Sequence, residues 1–144
     1  MITDQLLRVS TDQAVTVTAV STDTVDLLVA RDIGEGETLT MNFAVTTAFA
    51  GGTSVKFEVI SATNAALSTG VVVIGSSDAI LTAALLLGTN TAVAFNPQIA
   101  SNGQRWLGAR YTVSGTYSAG KVTADVVNTI QDGKKFYASG FTIV

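Results

Sequence analysis

The chain contains neither cysteine nor histidine, has a single proline, and carries charge on only 13% of its residues. Without cysteine there are no disulfides and no thiolate nucleophile, and the redox compartment is left undetermined. Without histidine the commonest general base at neutral pH is missing, and so is the commonest metal ligand. Transition-metal sites and thiol chemistry are therefore excluded. The charged fraction is about half of the roughly 25% found in ordinary domains. Formal net charge is −3, and of the cations only Lys134 and Lys135 are adjacent. Proteins that follow a phosphate backbone cluster their Lys and Arg, so nucleic acid is not an expected partner. No apolar run approaches the roughly 20 residues of a membrane span. Met1 to Asp12 also lacks the basic and apolar regions of a signal peptide. A soluble protein with no membrane partner is expected.

What is present is hydrophobic: 47% of 144 residues. That is enough for one domain with a true core, and it argues against disorder. An apolar chain with so little charge is a solubility liability as a free monomer. Part of its surface is expected to be covered in an assembly.

The dominant period is two. Ala14 to Val20 (AVTVTAV) predicts a strand with Val15, Val17 and Ala19 on its buried face. Val25 to Ala30 is the next strand, followed by a turn at Arg31 to Glu37 (RDIGEGE). Thr38 to Thr46 sets Leu39, Met41, Phe43 and Val45 together, and Thr47 to Gly52 is read as a loop. In Ser54 to Ser61, Val55, Phe57 and Val59 point inward, against Lys56 and Glu58 outward. Asn64 to Gly70 has room for one helical turn, and Val71 to Ile74 is a short strand. Ala79 to Leu87 has helical propensity, but Gly88 stops it and period two resumes at Thr91 to Phe95, so a strand is expected. Pro97 opens a loop that runs through Gly103. Arg105 to Val113 puts Trp106, Gly108 and Arg110 opposite Leu107, Ala109, Tyr111 and Val113. A hairpin loop at Gly115 to Gly120 leads to the strand Lys121 to Ile130, and Gln131 to Lys135 forms a polar turn. Seven to nine short, mainly antiparallel strands at this spacing predict an all-β fold, a β-sandwich or jelly roll. The body of the domain is expected over 13–133, with extended arms at 1–12 and 134–144.

Few groups are suited to chemistry. Asp32, Glu35 and Glu37 lie close enough for a calcium ion, but their spacing matches no calcium loop. Asp23 and Asp26 are too isolated to be assigned as a glycosidase pair. Gly34 to Glu37 (GEGE) would repel phosphate with its acids. No cofactor, metal or catalytic residue is assigned, and the chain is not expected to be an enzyme.

Side chains suited to binding are easier to find. Trp106 and Tyr111 are either interface anchors or fillers of the core. Arg105 and Arg110 are expected at the rim, with their stems over apolar neighbours. Both ends of the chain are apolar: Ile2, Leu6, Leu7 and Val9, and then Phe136, Tyr137, Phe141, Ile143 and Val144. Burying such a side chain is worth about 1.5–3 kcal/mol, so these ends dock on their own domain or on a neighbour. We expect at least one to dock on a neighbour.

Four stretches taken in order carry a resemblance: MITDQLLRVSTDQAVTVTAVSTDTVDL at the start, RDIGEGE at Arg31 to Glu37, RWLGARYTV at Arg105 to Val113, and FYASGFTIV at Phe136 to Val144. Together they resemble the phage capsid cement protein family, typified by the cement protein of a short-tailed Bordetella phage. The resemblance spans essentially the whole chain. It implies a jelly-roll-like β-sandwich on the outer surface of a phage head, bound across junctions of the major capsid protein. It further implies a homodimer or other small symmetric oligomer, no active site and no cofactor. The alternative weighed beside it is a tail or receptor-binding module that grips a glycan, for which Trp106, Asn102 and Gln104 are the only suitable group.

Overall fold

The computed structural model describes residues 3–28, 38–96 and 104–128. Ten strand segments run β1 Arg8–Ala14, β2 Ala19–Val20, β3 Val25–Asp26, β4 Leu39–Gly51, β5 Ser54–Ala62, β6 Val72–Ser76, β7 Ile80–Leu81, β8 Asn90–Phe95, β9 Trp106–Ser114 and β10 Tyr117–Val127. Two 3-10 turns, Gln5–Leu7 and Thr82–Ala84, are the only helical pieces among the described residues. One sheet has the order β1-β10-β4-β8, and the other has β2-β9-β5-β6, with β3 also on β9 and β7 also on β5. All pairings are antiparallel.

The topology is that of one long hairpin rolled up. β1 pairs with β10, β2 and β3 with β9, β4 with β8, and β5 with β6 and β7. Rolling then brings β10 against β4 and β9 against β5, which closes two sheets over one core. This is a jelly roll. Because β2 with β3 and β6 with β7 each share one position, the ten segments fill eight.

The faces follow the alternation where strands are long. Met41, Phe43 and Val45 of β4, Val55, Phe57 and Val59 of β5, Leu107, Ala109 and Tyr111 of β9, and Val122, Ala124 and Val126 of β10 are buried in one cluster. Phe43 stacks on Phe57 at 4.9 Å, and Tyr111 meets both rings edge-on at 6.0 Å. The Tyr111 hydroxyl donates to Ser10 Oγ at 2.7 Å, crossing from one sheet to the other. Burial pushes the Tyr111 phenol well above its usual range. Gly120, at φ +146°, leaves its side-chain space to Phe49, whose ring would lie 2.4 Å from an added Cβ.

Several expectations are corrected. Arg8 to Asp12 is not arm but sheet: it forms most of β1, with Val9 and Ser10 fully buried. Two register shifts and Asp12 at φ 47° break its alternation, which is why RVSTDQA does not look like a strand. Ala14 to Val20 is not one strand. At 15–18 the chain crosses between sheets, with Val15 N–H donating to Gly120 O and Val113 N–H to Thr18 Oγ1, and Val17 faces solvent. Residues 47–51 continue β4 rather than looping, because β10 pairs with β4 as far as Gly51. Asn64 makes an ordinary loop and not a helical turn: its Oδ1 accepts from Ser68 and Thr69 N–H. The strand expected over Ala79 to Leu87 lasts for Ile80–Leu81 only, and Thr82–Ala84 then turns so that Leu85 alone is buried. The hairpin loop begun at Gly115 is short, since Tyr117 already starts β10 and is buried. The turn at Arg31 to Glu37, with Asp32, Glu35 and Glu37, the Pro97 loop and the segment beyond Asn128 lie outside the described residues.

Glu58 was expected in water and is buried. Its carboxylate accepts from Arg110 Nε at 2.6 Å and Thr112 Oγ1 at 2.7 Å, with Lys56 Nζ 3.3 Å away. Burial raises this group's pKa, but the Arg110 and Thr112 hydrogen bonds outweigh that and hold it below its ordinary 4.5. A carboxyl whose pKa is lowered on folding stabilises the fold above its unfolded value, and this contribution is lost as pH falls through the folded one. E58Q is expected to cost about 1–2 kcal/mol at neutral pH, because a neutral amide replaces the charged partner of the partly exposed Arg110. Urea melts from pH 7 down through the carboxylate range should show a shallower acid loss in E58Q than in the wild type. Y111F, which removes the bond to Ser10, should cost about 1 kcal/mol in the same melts and leave the circular dichroism unchanged.

Candidate protein-binding surface

Both described chain ends leave the sandwich at the same end. Arg8, at the start of β1, pairs with Asp125 near the finish of β10, so antiparallel pairing forces this. The Arg8 guanidinium binds Asp125 Oδ1 at 2.7 Å, pinning the first strand to the last. Just before it, Asp4 caps the turn Gln5–Leu7: its Oδ1 accepts from Leu6 N–H at 2.9 Å, and its carbonyl from Leu7 N–H at 3.1 Å. The cap fixes two leucines outward, Leu6 at 85% exposure and Leu7 at 37%. A shallow, open hollow of about 590 Å³ lies beside Leu6, lined also by Asp4, Arg8, Thr11 and Asp23. Leu27 and Leu28 emerge at this same end, after β3 has paired with the start of β9.

Trp106 is neither a bare anchor nor part of the main core. It lies on the outer face of β9, half-buried against a small second cluster of Ile60, Ala62 and Leu67. Leu67 fits there because Gly108 is beneath it, and a Cβ on Gly108 would stand 2.3 Å from Leu67 Cδ1. The Arg105 guanidinium lies 5.3 Å from the indole centroid while binding Asp26 through Nε at 2.5 Å and Nη2 at 2.6 Å. Such cation–π contacts are worth about 0.5–1 kcal/mol at exposed sites.

The proposed sites thus separate. Leu6 and Leu7 are presented to solvent, and Trp106 is partly so. Tyr111 is fully buried between the sheets, so its assignment as an interface anchor is corrected: it faces inward with Leu107 and Ala109. Arg110 is held on Glu58 instead of lying loose at a rim. Ile2, Phe136, Tyr137, Phe141 and Ile143 lie outside the described residues, as does Asn102. Gln104 uses both ends of its amide within the fold, accepting from Ser61 Oγ at 2.5 Å and donating to Gly70 O at 2.8 Å. Its amide is therefore engaged in holding the 63–70 loop.

A family model, Bbp16, matches residues 9–126, most of the chain. The chain belongs to the Bbp16 family. Bbp16 is the name of a Bordetella phage protein, in agreement with the resemblance read from the sequence, and the match suggests a phage structural protein. No curated protein matches the chain. In this Bbp16-family chain the matched span begins inside β1 and ends inside β10, so it covers the jelly-roll body. The Leu6 and Leu7 turn stands just outside it.

Sequence reasoning missed the exposed Leu81, Leu86 and Leu87, which were read as a buried strand. The signal was available: three consecutive leucines, Leu85 to Leu87, cannot all face inward on a period of two.

The single tryptophan reports on the Arg105–Asp26 ion pair beside it. The Arg105 hydrogen bond holds the Asp26 carboxyl below an aspartate's ordinary 3.8. Acid titration followed by tryptophan fluorescence should therefore show a step below pH 3.8, when Asp26 is protonated and releases Arg105. D26N should abolish that step while the far-ultraviolet dichroism stays β.

Proposed function

We propose that this phage structural protein is a capsid cement protein. It binds the outer surface of the head across junctions of the major capsid protein, as a small symmetric oligomer, most simply a homodimer. The role is one of binding, without catalysis, cofactor or nucleic acid. The observation that carries the reading is the family match over the whole jelly-roll body, from β1 to β10.

The physics fits. Packed DNA pushes capsid subunits apart, and a clamp opposes this through shape complementarity repeated at many symmetric copies, so modest single-site affinity multiplies. A net charge of −3 keeps such a clamp from competing for DNA. The capped Leu6–Leu7 turn supports the reading further. Two leucines presented outward on a capped turn beside a polar hollow form the kind of small apolar anchor with a wet rim that protein interfaces use.

Heads stripped of this chain and re-decorated with purified protein test the reading, with occupancy read by electron microscopy at side-chain resolution. Wild type is expected at capsid-subunit junctions. L6E/L7E, whose changes are confined to the exposed turn, should keep the fold by circular dichroism and lose about a hundredfold in head affinity, as two lost apolar contacts imply. Density for the chain absent from heads at saturating protein would overturn the proposal.

A further inference from the structure

At the terminal end the charges do not balance. Arg8, Lys56, Arg105, Arg110 and Lys121 each sit in an ion pair within the fold. The described acids that sit in none are Asp4, Asp23 and Asp78. Two of these, Asp4 and Asp23, line the same hollow of about 590 Å³ beside the exposed Leu6. Arg8 lines it too, but its charge is met by the buried Asp125 carboxylate. The unmet charges facing this hollow are therefore both negative.

Both acids stand on fixed backbone. Asp4 caps the turn Gln5–Leu7 through Oδ1. Asp23 donates its N–H to Val9 O at 2.9 Å, and its carbonyl accepts from Ser21 Oγ at 2.9 Å. Its carboxylate has one long contact, from Thr22 Oγ1 at 3.4 Å. The bonds that hold Asp23 in place run through its main chain, which leaves the carboxylate for a partner.

We infer that this hollow receives a Lys or Arg side chain from the protein to which the terminal end binds. The stem lies along Leu6 and the cationic head meets the Asp4 and Asp23 carboxylates. The inference rests on the reading of Leu6 and Leu7 as a head-binding anchor, and adds the chemistry of the partner: a basic residue beside apolar ones. Charge selects that occupant. A phosphate or other anion is repelled by the same two acids. Calcium asks for six to eight oxygen ligands, and the described residues bring no three potential ligands together. A long basic side chain suits a site with an apolar flank and acidic walls, since its stem packs on apolar surface while its head stays among polar groups. Opposite charges at an interface rim steer approach and select the partner, and salt screens them.

On re-decorated heads, wild-type affinity should fall as salt is raised. D4N/D23N should weaken binding about tenfold at low salt and flatten the salt dependence. Asn caps a helical turn as well as Asp does, so the Leu6–Leu7 turn is kept. D78N removes the remaining unpaired acid, which does not line the hollow, and should bind as wild type does. L6K/L7K should bind more weakly than L6E/L7E, because a basic partner repels the first pair and attracts the second. Excess chelator should change nothing. Wild-type affinity and salt dependence in D4N/D23N would overturn the inference. So would an equal loss in D78N, L6K/L7K binding at least as well as L6E/L7E, or loss of wild-type binding to chelator.

A probe that needs no heads separates this inference from the function it rests on. An end-capped peptide of alternating leucine and arginine, titrated into the full-length protein, should shift the amide resonances of Asp4, Leu6 and Asp23. Its leucine–glutamate counterpart should not. Equal shifts with both peptides, or none with either, would sink the inference even where heads bind. Heads that refuse the wild type while the arginine peptide binds count against the proposed function alone.

Discussion

Phe43 of one sheet rests on Phe57 of the other, and Tyr111 closes the pair edge-on before its hydroxyl crosses back to Ser10. The rest of the molecule is arranged about this contact. It fixes the spacing and registration of the two sheets, and no disulfide or metal-binding histidine exists to do it otherwise. Aromatic pairs of this kind add about 0.5–1.5 kcal/mol beyond their buried area. The irregular register of β1 goes with a buried Ser10 whose hydroxyl accepts from Tyr111 and donates to Gln13 Oε1, so the buried group is fully partnered.

The charges are few and are committed to the fold. Every described Lys and Arg is in an ion pair: Arg8 with Asp125, Lys56 and Arg110 with Glu58, Arg105 with Asp26, and Lys121 with Asp12. Exposed pairs such as Lys121–Asp12 contribute little to stability. Their larger effect is to leave no described cation loose on the surface. Recognition is then left to apolar side chains, hydroxyls and the unpaired acids. Those apolar side chains gather at the two ends of the sandwich and along the edge strand β6, where Val72 and Val73 are exposed.

Where strands are long and one face is dry, alternation alone located the fold. Met41, Phe43 and Val45, or Val122, Ala124 and Val126, lie where period two puts them. The misreadings share a cause: tertiary pairing decided the local conformation. AVTVTAV alternates but bends between sheets at Val17, whereas RVSTDQA hardly alternates yet is a paired strand. Glu58 belongs to a strand that is buried on both faces in its second half, and only the cations of neighbouring positions make that tolerable. Of the candidate surface, the exposure of Leu6 and Leu7 was legible because nothing in the sequence offered to cover them. Tyr111 was not, because a tyrosine's value to a core or to an interface depends on what its hydroxyl finds, and Ser10 is 101 residues away.

The rolled-hairpin topology itself yields two unlike ends. Pairing the first strand with the last brings both chain ends out together, and it also gathers the four connections 15–18, 52–53, 82–89 and 115–116 at the opposite end. Those connections are short or tightly bonded, two of them only two residues long, and none of their residues is charged. One end presents leucines among acids and arginines, and the other presents leucines among threonines and glycines, about 35 Å away by strand rise. One strand order thus yields two ends of unlike chemistry.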